Sequence, residues 1–252
     1  MKTVKHPELP VTLTFDPTAH TYTDDKGVNY TPATSFVKRY FEPFDEATAA
    51  ARIAKREGRL EMDVLKEWHD KRDASASYGT TVHAYAEAVI MGWPPPTPSD
   101  ADQRRAFKIV DKALVMLAEH YEFLGAEQII FDPLFEVAGT IDLPARNRKT
   151  GALAPLDWKT CESITDDNYG MMARAPIQHV RDSKVSHYAL QLSLYGWLLT
   201  DPDYSAYPSA GEPVETALIH IPHIGDDPVW RPVPYMAKEI KTLLLGSASR
   251  CK

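Results

Sequence analysis

Apolar residues first recur at the spacing of strands. Leu13, Phe15, Tyr22, Val28 and Tyr30 are strand formers around the polar stretch Asp24-Asp25-Lys26-Gly27, which predicts a small hairpin over residues 11–30. Thr31-Pro32 predicts a short helix, with Thr31 as N-cap and Pro32 at its first position, ending near Phe41-Glu42-Pro43. The spacing is then helical over residues 45–59, capped by Asp45. It continues over residues 61–73, with Leu60, Val64, Leu65 and Trp68 as the buried side. Ser75 or Ser77 caps a further helix reaching Met91. Trp93-Pro94-Pro95-Pro96-Thr97-Pro98 is a rigid break between subdomains. Asp100 opens a helix to about Tyr121, with Phe107, Val110, Leu114, Leu117 and Tyr121 on one face.

A strand over residues 125–131 leads into the most informative stretch, residues 137–160. This reads as a hairpin: one strand with Asp142 near its end, the turn Asn147-Arg148-Lys149-Thr150-Gly151, and a return strand over residues 153–158 that ends in Asp157-Trp158-Lys159. Residues 161–185 are irregular, with Arg174, Arg181 and Lys184 making the second half basic; such a loop often faces substrate. Ser186 caps a strongly amphipathic helix over residues 187–199, where Gln191 and Tyr195 share a face. Strands near residues 214–221 and 229–233 and a helix over residues 235–245 follow. Together these elements predict an α/β protein, with a central mixed β-sheet flanked by helices. Residues 1–98 form an N-terminal hairpin and helical region and residues 99–252 a core, within one compact unit.

Composition narrows the class. At 252 residues, 44% hydrophobic and 25% charged, the chain is ordinary for a soluble globular protein. No stretch has the length of a membrane span, and the N-terminus has no apolar secretion segment. Cys161 and Cys251 are too few for a disulfide framework or an iron–sulfur site, and a cytoplasmic location is expected. A net charge of −7 argues against coating nucleic acid non-specifically, but leaves room for an enzyme with one basic face. There is no phosphate-binding loop of the ATP-motor kind.

The candidate chemistry centres on the hairpin. Alternation puts Asp157 and Lys159 on one face and Trp158 on the other, and pairing through the turn brings Asp142 level with Asp157. A surface salt bridge, contributing roughly 0–1 kcal/mol, is the plain alternative. The apolar neighbours Leu134, Phe135, Val137, Ile141, Leu143, Leu153 and Leu156 argue for acids at the ends of buried strands, which need a partner such as a metal ion. Glu127 stands where the preceding strand begins and could reach the same edge. His83 and Glu87 share a helix face, as structural residues or as metal-site residues. Arg52, Lys55, Arg56 and Arg59 recur on one helical face, either solvated or contacting phosphates. Trp68 is a core residue or a base-stacking one.

Taken in order, Gly79-x-x-x-His83-x-x-x-Glu87, Gly139-Thr140-Ile141-Asp142, Asp157-Trp158-Lys159-Thr160 and Gln191-x-x-x-Tyr195 resemble the PD-(D/E)XK nuclease superfamily, and within it the RecB-like branch. His20-x-Tyr22, Gly27, Pro32-Ala33-Thr34-Ser35, Glu67-Trp68 and Arg72-Asp73 look like the phage and mitochondrial single-chain exonucleases of that branch. The resemblance runs roughly from His20 to Trp197. The four cysteines of its iron–sulfur members are missing, and so is a proline just before Asp142.

The resemblance implies a restriction-endonuclease-like core and metal-dependent DNA exonuclease activity, in phage-type recombination or DNA processing. It implies Mg²⁺, with Mn²⁺ as a substitute, as two ions held by His83, Asp142, Asp157 and the Trp158 carbonyl. Lys159 would lie beside the attacking water. Gln191 would hold Lys159 or the DNA backbone, Tyr195 would contact a phosphate or the lysine, and Glu87 would position His83. Partners would be DNA and a single-strand annealing protein, with a homo-oligomer left open, in a bacterial or phage-infected cell. The rivals are an endonuclease or flap nuclease of the same fold, a catalytically silent recombination scaffold, and, more distantly, a paired-carboxylate glycosidase.

Overall fold

A computed structural model describes residues 1–248, so Cys251 lies outside the described residues. The chain opens with an antiparallel meander of four strands, Lys2–Lys5 (β1), Thr12–Asp16 (β2), Thr21–Asp24 (β3) and Asn29–Pro32 (β4). The sequence suggested only one hairpin here. The extra reversal is made by Asp16, whose Oδ1 accepts the N–H groups of Thr18 and Ala19 at 2.8 and 3.2 Å. His20 takes the left-handed position (φ +51°) that a glycine would have advertised.

Thr31 belongs to β4 and is not a helix cap; its N–H bonds to the Glu136 carbonyl. The helix Ala33–Lys38 (α1) starts after Pro32 and is shorter than expected. The helix Glu46–Glu57 (α2) is capped by Asp45, which accepts the Thr48 N–H at 3.0 Å, and is closed by left-handed Gly58.

The next helix, Glu61–Met91 (α3), is one uninterrupted rod of 31 residues, roughly 46 Å long. The expected break at Ser75 or Ser77 does not occur. The Thr80 and Thr81 hydroxyls bond back to the Ala76 and Ser77 carbonyls, so this polar run satisfies itself inside the helix. Val64 packs in a small cluster with Ala50 and Ala54 of α2, and Leu65 and Trp68 lie partly buried against it. Leu60, at the helix entrance, is 67% exposed.

After the proline-rich connector comes Ala101–Ala118 (α4), capped by Asp100. It packs directly on α3, with Phe107 stacked on Tyr85 at 3.9 Å. The connector therefore joins two packed helices. Tyr121 is not the end of that helix but the start of a strand, Tyr121–Phe123 (β5).

Gln128–Asp132 (β6), Val137–Ile141 (β7), Leu143–Asn147 (β8) and Leu153–Lys159 (β9) follow. The helix Lys184–Thr200 (α5), Thr216–His220 (β10), Val229–Val233 (β11) and the helix Ala237–Ala248 (α6) complete the chain. Two mixed sheets, not one, are flanked by helices. Their orders are β1-β2-β3-β4-β7-β6 and β11-β10-β9-β8-β5.

The predicted first strand of the hairpin is split at Asp142: β7 belongs to the first sheet and β8 to the second. The hairpin register itself is as expected, with Leu143 opposite Leu156 and Arg146 opposite Leu153. One step further places Asp142 opposite Asp157. At the other end Asn147 Oδ1 accepts the N–H groups of Lys149 and Thr150, and Gly151 takes φ +73°.

The helix α5 is buried on nearly every side, not amphipathic, with Leu190, Leu194, Tyr195, Trp197 and Leu198 in the largest core cluster. Its cap is Ser183 and not Ser186: the Ser183 Oγ accepts the Ser186 N–H at 3.2 Å. The irregular segment before it is anchored in the same core by Ile164, Ala173, Ile177 and Val180. Its cations are engaged within the chain, Arg174 with Glu42, Arg181 with Asp166, and Lys184 with the Ser163 carbonyl.

Candidate metal centre

The site forms where the two sheets part. Asp142 occupies the break between β7 and β8, and its Oδ2 accepts the Trp158 N–H at 2.9 Å. This bond fixes the carboxylate beside β9. Glu127 is brought to the same point by a turn; it has φ +47°, and its N–H bonds to the Asp142 carbonyl at 3.0 Å. His83 descends from α3. Its Nδ1 lies 3.4 Å from Asp142 Oδ2 and 3.7 Å from Glu127 Oε1. One donor atom from each of His83, Glu127 and Asp142 lies within 4.8 Å of the others.

Next to this trio, Asp157 and Lys159 point to the same face and form a buried ion pair. The ammonium also sits 4.6 Å from the centre of the Tyr188 ring. Trp158 points the other way into the core, as alternation requires.

The charges strain against each other. Asp142 is 9% exposed and Asp157 3%. Burial, helped by the charge of Asp157, raises the Asp142 carboxyl to about 8. Burial works to lower His83, but Asp142, Glu127 and Asp157 outweigh it and raise the imidazole to about 9. Burial likewise opposes the Lys159 charge, yet Asp157 and Asp142 hold its pKa above the ordinary lysine value. Lysine as a neutral base, one option raised by its burial, is therefore disfavoured. Three carboxylates share one histidine and one lysine at a site buried around Asp142 and Asp157, an arrangement that a divalent cation would neutralise. A nitrogen donor and hard carboxylate oxygens suit such an ion.

The structure redistributes several predicted roles. Asp157 is engaged by Lys159 and falls outside the donor trio, whereas Glu127 falls inside it. Glu87 does not hold His83: its carboxylate pairs with Lys2 at 2.9 Å. Gln191 is partly exposed and donates to the Tyr195 hydroxyl at 3.1 Å. Tyr195 is 3% exposed and lies against Gly139, where an added Cβ would come within 2.4 Å of the ring. Burial and the charge of Asp157 raise its hydroxyl well above the usual tyrosine range. It packs against β7 at Gly139 and lines the cleft there.

The basic stripe dissolves into separate parts. Arg59 lies beyond the helix-closing Gly58 and pairs with Glu57 and Glu67, and Arg56 pairs with Glu57. Arg52 and Lys55 face solvent on α2. A second run of cations, which sequence reading missed, is Arg104, Arg105, Lys108 and Lys112 on α4; their spacing along that helix was the available signal.

The donor trio lies under a cleft of about 890 Å³, lined by His83, Glu87, Glu127, Gly139 and Thr140 and walled by β2, β3, α1 and α3. A scan against protein-family models finds no match, and a search of curated proteins finds no relative. Among the described residues, no helix is long and apolar enough to cross a membrane.

Proposed function

We propose that the chain is a metal-dependent DNA exonuclease with a restriction-endonuclease-like core. The observation that carries this reading is the convergence of His83, Glu127 and Asp142 beside the Asp157–Lys159 pair, next to an open cleft that His83 and Glu127 line. The order of these residues along the chain supports it through the resemblance to the RecB-like nucleases.

His83, Glu127 and Asp142 would hold the first ion, and a second would draw on Asp157 and the Trp158 carbonyl. Mg²⁺ is the ion we expect; the imidazole suits Mn²⁺ as a substitute. The bound ion supplies charge neutralisation at the phosphate and a nucleophile near neutral pH. The chain's own residues do the rest. Trp158 N–H and Glu127 N–H fix the loop that carries Asp142. Asp157 keeps Lys159 charged and aimed, so the ammonium can stabilise negative charge growing on the phosphate. Tyr195 and Gln191 brace β7 from beneath. A role in phage-type recombination, with an annealing protein as partner, rests on the resemblance alone.

The test is digestion of end-labelled linear single- and double-stranded DNA beside a closed circle, with Mg²⁺, Mn²⁺ or chelator, for wild type and Asp157→Ala. The expected outcome is metal-dependent loss of linear DNA only, abolished in the variant. Cutting of the circle would replace the exonuclease with an endonuclease. Absence of cutting while an ion binds at His83 and Asp142 would leave a DNA-binding scaffold.

A further inference from the structure

We infer that Phe15 and His20 form a base-stacking wall that seats a single-stranded DNA end over the donor trio; this rests on the nuclease reading above. Three rings run in file along one side of the cleft. Tyr22, at the inner end, is buried, and its hydroxyl shares a 3.0 Å hydrogen bond with Thr140, two residues before Asp142. Phe15 stacks on Tyr22, with centroids 4.6 Å apart and planes at 23°. His20 follows, 5.9 Å from Phe15 and tilted by 51°. The file becomes half-buried at Phe15 and exposed at His20. The Asp16 turn holds the hairpin tip that presents His20, so the ring is carried by a fixed turn. On the α3 side, Ser75, Ala76, Gly79, Thr80 and Ala84 line the cleft as small residues beside His83 and Glu87. The cleft thus sets an aromatic wall opposite a run of small residues that leads to His83 and Glu87.

Charge points the same way. Among the described residues lining the cleft, Lys2 is the one permanent cation, and it is paired with Glu87. Attraction for phosphates, which dominates most DNA binding, has little to act on here. Stacking on an aromatic face works for any base and needs no cation. A base inside a duplex has both faces covered, and a blunt end offers one face of a rigid pair, whereas an unpaired terminal base can turn its face onto the wall. That makes the ligand a single-stranded terminus.

The test measures binding of oligothymidines carrying 2-aminopurine or an abasic site at either end, with Ca²⁺ replacing Mg²⁺. It uses the full chain as wild type, Phe15→Leu, Phe15→Trp and His20→Ala, with thermal melting as the check on folding. In wild type, the terminal fluorophore is quenched. Phe15→Leu and His20→Ala should each weaken binding about fivefold or more and remove the quench, while Phe15→Trp keeps both. On an abasic end the variants should bind as wild type does. Unchanged binding and quenching in Phe15→Leu and His20→Ala would overturn the inference. So would equal losses on intact and abasic ends, or blunt duplex bound as tightly as single strands. Exposed His20→Ala keeps the test open if Phe15→Leu fails to fold. Wild type that digests DNA but ignores these substitutions sinks the stacking wall alone. Wild type that neither binds nor digests any DNA sinks the nuclease reading first, and this inference with it.

Discussion

Two clusters of charge in this molecule look alike in sequence and behave differently in space. Along α2 and the start of α3, Arg56, Arg59, Glu57, Glu67 and Lys71 pair with one another in solvent. Each charge there has a partner and water, so the cluster asks for nothing more, and such pairs contribute little. At the sheet junction, Asp142, Asp157, Glu127, His83 and Lys159 are drawn together out of water with more acid than base, and the protons respond. The difference teaches that the imbalance left after pairing, and not the number of charges, marks a place where a ligand belongs.

The sharpest way to break this comparison is to remove the imbalance. Asp142→Asn should cut DNA digestion more than about 100-fold, beyond the usual effect of losing a residue that only supports a metal ligand. In chelator above pH 8 the same variant should melt higher than wild type, since it removes a buried charge opposed by Asp157; each kcal/mol gained raises Tm by about 2–4 °C. A variant that lost both activity and stability would mean that Asp142 is an ordinary structural acid.

The second prediction concerns pH. Asp142 and His83 both bind protons more tightly folded than unfolded, at about 8 and about 9. The unfolded values are about 3.9 for aspartate and about 6.5 for histidine. Stability from each group is therefore full below its unfolded value and is lost as pH rises to its folded one. In chelator, Tm should fall from pH 6 to pH 9. Added Mn²⁺ or Mg²⁺ should raise Tm more at pH 9 than at pH 6, because metal and protons compete. A flat or rising Tm in chelator would contradict the charge balance described for the site.

Smaller effects separate support from contact. Tyr195→Phe removes the bond from Gln191 and should cost about 0.5–1.5 kcal/mol in urea unfolding, with DNA affinity within twofold of wild type, about 0.4 kcal/mol. A large drop in affinity at unchanged stability would return Tyr195 to the phosphate-contacting role its motif suggested. Smallest of all, Arg52→Ala with Lys55→Ala should leave stability within about 0.5 kcal/mol. Each phosphate contact that either residue makes would lower the salt slope of DNA binding by about one.

What the sequence showed follows from what is local. The cap at Asp45, the cap at Asp100 and the turn at Asn147-Gly151 are each decided within a few residues, and all three form as read. Because the turn fixes the register, the level pairing of Asp142 with Asp157 was legible too. What escaped depends on distant packing. Nothing near Asp142 announces that its strand changes sheets. The burial of α5 on all sides depends on α1, α6 and both sheets closing around it. Glu127 was legible as an acid near the edge, but its place in the donor trio depends on a left-handed turn and on a bond to the Asp142 carbonyl. Ser75 and Ser77 looked like caps because the signal for a cap and for a self-satisfied helix interior is the same residue type.

The tight turn that sets the hairpin register also offers a practical handle. Lys149 and Thr150 are exposed at one end of β8 and β9, while Asp142 and Asp157 face each other at the opposite end, roughly 17 Å away along the strands. A dye, an affinity tag or a surface tether attached at Lys149 would sit at the far end of a rigid lever from the carboxylates. The protein could then be immobilised or watched singly with its cleft left free.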